Sequence, residues 1–235
     1  MEQHLRSVYL LTKLNKILVS FDLDYTLINN SQGIVNSFNY ALNKYNLSPK
    51  EPNEIEKMIG EPLDHMFLEV SSMEPSILSS AFREFYSSKG IFQAQLIPGV
   101  QNILKMLKKH KFQLGVITSK KQEIAEKIIQ YLKIREYFEY VIGETPERKK
   151  LGKLDPSLKA IISIKFPEYQ VIVVGDHPKD AQLSNNLECF FIGVLTGHYG
   201  KEELKKEKPK NSVIVSSVNE ISISLIKNLL KNNIT

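Results

Sequence analysis

The stretch FDLDYTLINN (residues 21–30) follows the apolar run KILVSF and sets Asp22, Asp24 and Thr26 two residues apart. Alternate side chains of an extended strand share a face, so the two carboxylates begin as like-charged neighbours. That arrangement costs free energy unless a cation, a shared proton or a reaction offsets it. Three further stretches carry complementary groups. FQLGVIT ends at Thr118-Ser119-Lys120, VIVVGD ends at Gly175-Asp176 with Asp180 one helical turn on, and GKLDPSL places Lys153 just ahead of a helix. If these strands are neighbours, their ends assemble two carboxylates facing two carboxylates, with a hydroxyl pair and an ammonium alongside. A hard cation such as Mg2+ takes about six oxygens and keeps several waters, and Asp22, Asp24 and Asp176 suit it. Thr118, Ser119, Lys153 and backbone N–H groups near a helix start suit a tetrahedral oxyanion, for which phosphate fits best.

Positioning these groups requires a sheet. The runs KILVSF, FQLGVIT, YVIG, VIVVGD, CFFIGV and SVIVSS recur with helical patterns between them. Continuous apolar strands alternating with helices predict an α/β fold, a doubly wound parallel sheet covered on both faces. VQNILKMLKKH follows the breaker Pro98-Gly99, KQEIAEKIIQYLK follows Ser119, and PSLKAIISI follows Asp155 as a candidate N-cap. Residues 31–92 break the rhythm, because their four apolar patterns are helical and no strand stands among them. The expected organisation is therefore a catalytic core of residues 1–30 and 93–235, with a helical cap inserted at 31–92. Pro98-Gly99 and a flexible stretch around Gly90 mark the return hinge. Ligands of open parallel sheets bind beyond the carboxyl ends of the strands, where an insert leaving that edge acts as a lid. Substrate choice then belongs to the insert, whose polar candidates are Lys57, Glu61, Asp64, His65 and Arg83.

A chain of 235 residues with 42% hydrophobic content supports one large domain or a domain with a small insert. No apolar run nears the roughly 20 residues of a membrane span, and VYLLTKL is soon broken by lysines, so neither an anchor nor a signal peptide is expected. The single cysteine, Cys189, sits in CFFIGVL and reads as a core thiol in a reducing cytoplasm. The net charge of +5 comes mostly from scattered lysines interleaved with glutamates, as in the solvated KEELKKEKPK. That pattern argues against nucleic acid and in favour of anionic small molecules. His4, His65, His110 and His198 lack metal-ligand spacing, so zinc is not expected.

In this order and spacing the chain resembles the haloacid dehalogenase-like hydrolase superfamily, in its phosphoglycolate phosphatase-like branch. DLDYTL looks like the nucleophile motif, VITSK the threonine motif, GKLDPSLKAI the lysine motif and VGDHPKDAQLSNN the acidic motif. IGEPL, LIPGV, YFEYVIG and IGVLTGHYGKEEL agree as well. The resemblance implies a Rossmann-like core and a Mg2+-dependent phosphatase acting on a small phosphorylated metabolite. It implies Asp22 as nucleophile, Asp24 as acid and base, and Thr118, Ser119 and Lys153 as phosphate ligands, with Lys153 also catalytic. The metal would be held by Asp22, the Asp24 backbone carbonyl and Asp176, with Asp180 in support. Tyr25 stands where the family has glycine, Asn29 and Asn30 where it has an acidic-serine pair, and Leu154 where it has proline. The retained Asp24 favours phosphate ester chemistry, since halide-displacing members lack an acid there.

Competing readings stay in view. A calcium loop of the EF-hand type would need Gly and Glu where Leu27 and Gly33 stand. Asp176, Asp180 and Ser119 could cap helices, the run Arg148-Lys149-Lys150 reads as a solvated loop, and His177 reads as a solvent-facing histidine or a leaving-group contact. A phosphosugar mutase of the β-phosphoglucomutase kind shares the same core motifs. A receiver-type signalling module is the more remote alternative, since it carries no insert and no second acid like Asp24.

Overall fold

The computed structural model describes residues 16–59, 61–148 and 152–231. All six runs read as strands are strands: β1 (Ile17–Phe21), β4 (Gln113–Lys121), β5 (Tyr140–Glu144), β6 (Gln170–Gly175), β7 (Phe190–Val194) and β8 (Ser212–Val215). They pair in parallel in the order β5-β4-β1-β6-β7-β8. Two-residue strands β2 (Ile28–Asn29) and β3 (Gln95–Leu96), which the sequence did not signal, pair separately.

The chain divides into two compact units. One runs through Leu27 and resumes at Leu96, and the other spans Ile28–Gln95. In the first unit every residue of β1 is buried, as a central strand covered on both faces demands. Helices α5 (Val100–Lys109), α6 (Gln122–Tyr131), α7 (Ser157–Lys165) and α8 (Pro178–Asn186) connect the strands, followed by α9 (Lys201–Lys206) and α10 (Ile223–Lys231). Leu18, Ile117, Leu158, Val173 and Phe191 form part of one core cluster. Each such side chain stabilises the fold by about 1.5–3 kcal/mol through removal from water.

The second unit is built from α1 (Ser31–Lys44), α2 (Pro52–Met58), α3 (Leu63–Leu68), α4 (Pro75–Ser88) and a 3-10 turn at Gly90–Gln93. Helix α4 buries Leu78, Ala81, Phe82 and Tyr86, one face at helical spacing. Phe38 of α1 stacks on Phe67 of α3 with ring centroids 4.2 Å apart. Glu51 and Glu54 form a capping box that starts α2.

Several expectations are corrected. Gly90, expected within a flexible stretch of the return hinge, is buried in the 3-10 turn against Gly33, where a Cβ on Gly33 would come within 2.2 Å of the Gly90 carbonyl oxygen. The missing side chains permit close backbone approach there, and Pro98-Gly99 falls inside the first unit, which resumes at Leu96. Strand β4 continues through Lys121 and helix α6 begins at Gln122, so Ser119 caps nothing and is exposed. Pro156 is the N-cap position of α7, with Asp155 one residue earlier accepting from the Ser157 N–H at 2.9 Å. Cys189 is half-buried rather than fully interior, though burial still pushes its thiol up to about 12. Arg148 turns inward to donate to the Gly143 carbonyl at 3.0 Å, whereas Lys149 and Lys150 lie outside the described residues, as do His4, VYLLTKL and Gly60 of IGEPL. Among the described residues no helix is long and apolar enough to cross a membrane.

Candidate active site

Strand order decides where the polar groups meet. The chain leaves β1 for β4 and β5 on one side and returns to β6, β7 and β8 on the other, so β1 is the switch point of the sheet. Asp22 follows β1, Thr118 lies near the end of β4, and Asp176 follows β6. The Asp22 N–H donates to the Val174 carbonyl at 2.8 Å, extending the β1–β6 ladder to the nucleophile candidate itself.

Lys153 reaches into this edge with its side chain only 4% exposed, and its Nζ lies 2.7 Å from both Asp22 Oδ1 and Asp180 Oδ1. Burial works against the ammonium, but Asp180 and Asp22 hold its pKa above the ordinary lysine range. Asp180 also accepts from the His177 N–H at 3.1 Å, so it caps α8 and binds Lys153 at once. It needs Gly175 beside it, because a Cβ there would stand 2.2 Å from the Asp180 carboxyl carbon. Asp176 accepts from the Thr26 hydroxyl at 2.7 Å. Burial, then Asp22 and Asp180, push the Asp176 carboxyl upward; burial is also the main cause raising Asp180.

Asp22, Asp176 and Asp180 are all buried, and one carboxylate oxygen of each lies within 4.8 Å of the others. With Lys153 beside them the group carries a formal charge of −2, which suits a divalent cation. The donor set supports that fit: Asp22 Oδ1 is held by Lys153 Nζ at 2.7 Å, and all three side chains present carboxylate oxygens. An all-oxygen set of this kind is the chemistry that Mg2+ takes. The Asp24 side chain is not in this group. Its Oδ2 lies 3.2 Å from Lys120 Nζ, and burial raises its pKa against the pull of Lys120.

Thr118 is buried, with its hydroxyl oxygen accepting from the Lys120 N–H at 3.2 Å. Ser119 is exposed on the same bulge, where Ile117 pairs with Ile142 but Lys121 with Glu144. Three residues of β4 thereby leave the ladder. His177, read as a solvent-facing loop residue or a leaving-group contact, is half-buried and caps a helix: its Nδ1 accepts from the Lys179 N–H at 3.0 Å, making it the N-cap of α8. Burial, helped by Lys153 and Lys179, pushes it down to about 4, which leaves the ring neutral and able to accept. Tyr25 adopts a φ of 57°, a left-handed conformation that costs roughly 1–2 kcal/mol outside glycine. The Thr196 hydroxyl donates to its carbonyl, and its ring meets His198 edge-on at 4.7 Å.

Sequence reasoning assigned no role to Thr26 or Lys120. The i, i+2 spacing of Asp22, Asp24 and Thr26 was the available signal for Thr26; nothing local marks Lys120.

Fold and site together define a doubly wound, Rossmann-like α/β protein whose acidic centre lies at the switch point of its sheet. Residues 19–194 match the haloacid dehalogenase-like hydrolase family, and the chain belongs to that family. It is 29% identical over 191 residues to the "Putative pyrophosphatase PpaX" of Caldanaerobacter subterraneus subsp. tengcongensis, covering 81% of this chain and 87% of that one. It is 28% identical over 181 residues to the tyrosine-protein kinase PtkA of Mycobacterium tuberculosis, covering 75% of this chain and 62% of PtkA, which is under two thirds of that relative. Among solved structures it is similar to "a predicted phosphatase from Clostridium acetobutylicum", with a TM-score of 0.73, 28% identity, and 92% and 99% of the two chains covered.

Proposed function

We propose that the chain is a cytoplasmic, Mg2+-dependent phosphatase that hydrolyses a small phosphorylated metabolite of the phosphoglycolate kind through an aspartyl-phosphate on Asp22. The observation that carries this reading is the buried Asp22–Lys153–Asp180 chain beside Asp176 at the switch point. An Asp22 oxygen attacks phosphorus, the ester P–O bond breaks, and Asp24 protonates the departing alkoxide. Water then attacks the aspartyl-phosphate, gives its proton to Asp24, and returns the Asp22 carboxylate and free phosphate. Lys153 orients Asp22 and, with Thr118 and Ser119, receives the phosphoryl oxygens. Held by Asp22, the Asp24 backbone carbonyl, Asp176 and Asp180, Mg2+ would offset the charge gathered on the transferring group.

The helical unit, assigned as a cap inserted at 31–92 in a core of 1–30 and 93–235, supplies choice of substrate in this reading. The test is a screen of small phosphate esters, phosphoglycolate among them, with Mg2+ and with chelator. Pyrophosphate joins the screen because the Caldanaerobacter relative bears a pyrophosphatase name. Release of phosphate in Mg2+ only, lost in Asp22→Asn with the fold retained, is the expected result. Equal rates in chelator, or an active Asp22→Asn variant, would sink the proposal. Transfer of the phosphoryl group to a second hydroxyl of the same sugar would make the protein a phosphosugar mutase instead.

A further inference from the structure

The bulge at the end of β4 brings to Asp24 a cation that the cycle above does not use. Lys120 Nζ lies 3.2 Å from Asp24 Oδ2, with side chains only 12% and 26% exposed. A contact so withdrawn from water is screened far less than an ion pair on the open surface. The backbone carrying Lys120 is held on three sides. Its N–H donates to the Thr118 hydroxyl at 3.2 Å. Its carbonyl oxygen stands 2.6 Å from where a Cβ on Gly143 would be, so only glycine lets β5 pass. Gln122, two residues on, accepts from the Gly143 N–H at 2.7 Å and donates to the Val141 carbonyl at 3.0 Å. Asp24, for its part, sits two residues from Asp22, yet its carboxylate stays outside the Asp22, Asp176 and Asp180 group.

We propose that Lys120 is a positioning residue for the second half of the reaction, holding the Asp24 carboxylate ready to take the proton of the attacking water. The inference rests on the phosphatase reading of this same site. In that step the water oxygen forms its bond to phosphorus, its proton passes to Asp24, and the P–O bond to Asp22 breaks with its electron pair returning to the Asp22 carboxylate. The acceptor must be a carboxylate aimed at the water, and an ammonium fixed 3.2 Å from its Oδ2 holds that aim.

The test uses p-nitrophenyl phosphate with the full chain in Mg2+. Nitrophenolate departs without needing a proton, so the pre-steady-state burst reports attack by Asp22, whereas the steady-state rate reports breakdown of the aspartyl-phosphate. In Lys120→Met the steady-state kcat should fall about 10-fold, part of the 10²–10⁴-fold that a placed acid–base group supplies. The burst rate and kcat/KM should stay within about twofold of wild type, so KM falls with kcat. Lys120→Arg should recover most of kcat. An equal fall in burst and steady-state rates, or no fall in kcat, would overturn the role. Wild-type protein that releases phosphate from no ester overturns the phosphatase reading and this role with it. Thermal melts of Lys120→Met, Asp24→Asn and the double variant test the pair itself without activity. A double loss smaller than the sum of the single losses supports the pairing, and additive losses overturn it.

Discussion

Lys153 is the residue on which the acidic centre depends. Three buried carboxylates within reach of one another would repel strongly, and one ammonium in contact with two of them is what the fold supplies in compensation. The compensation is partial, because Asp176 and Asp180 both remain raised above the ordinary aspartate range. A carboxyl whose folded pKa exceeds its unfolded one adds stability at low pH, and that stability is lost as pH rises through the folded value. In chelator the melting temperature should therefore fall as pH climbs from about 4, the ordinary aspartate value, into the neutral range. Added Mg2+ should flatten the fall by binding the ionised native form. Lys153→Met should steepen it, with a destabilisation of about 3–5 kcal/mol at neutral pH from the uncompensated charges. Scanning calorimetry across pH, with and without Mg2+, checks both; a flat profile in chelator would mean the carboxylates are fully satisfied without a cation.

At the scale of elements, the feature that shapes the site is the bulge in β4. Continuing the strand to Lys121 while three residues leave the ladder lets Thr118, Ser119 and Lys120 stand at the edge of the sheet on a backbone that is still anchored. The anchor is Gly143 with Gln122. Gly143→Ala forces a Cβ to within 2.6 Å of the Lys120 carbonyl oxygen and the Gln122 Cα, and backbone atoms cannot give way as a flexible side chain would. The variant should lose about 1–3 kcal/mol in denaturant unfolding, the usual range for overpacking. It should also lower kcat/KM for every phosphate ester by a similar factor, since Thr118 moves with the bulge. A stable variant with reduced activity would show that β5 can shift without loss of packing.

At the scale of the whole molecule, the two units divide the work that the proposed function requires. In the proposed function the groups assigned to phosphate serve any phosphate ester alike, so selectivity is sought in the Ile28–Gln95 unit. The polar candidates there, Lys57, Glu61, Asp64, His65 and Arg83, are all exposed, and Asp64 also accepts from the Ser79 hydroxyl. Met66 and Phe67, by contrast, belong to that unit's interior, and Phe67→Ala should cost about 3–5 kcal/mol without informing on specificity. Alanine at Lys57, His65 and Arg83 together should leave the melting temperature nearly unchanged. It should lower the ratio of kcat/KM for the best metabolite to that for an aryl phosphate by about an order of magnitude, as the loss of contacts worth about 1–3 kcal/mol would. An unchanged ratio would move selectivity into the loops of the first unit.

The sequence by itself determined the six strands, because continuous apolar runs between helical patterns have no other stable place than a sheet covered on both faces. It determined the candidate groups too, since paired acids, hydroxyls and a lysine at strand ends are a chemical signal that needs no coordinates. What only the tertiary structure decided are contacts between residues far apart in the chain. Thr26 meets Asp176 across 150 positions and Lys153 meets Asp180 across 27, through the strand order around β1. The capping role of His177, the close packing of Gly33 on Gly90 and the pairing of Lys120 with Asp24 were equally illegible. Local pattern reports which face a residue takes; which neighbour fills the space beside it depends on register, bulges and burial, and these are set by packing of the whole sheet.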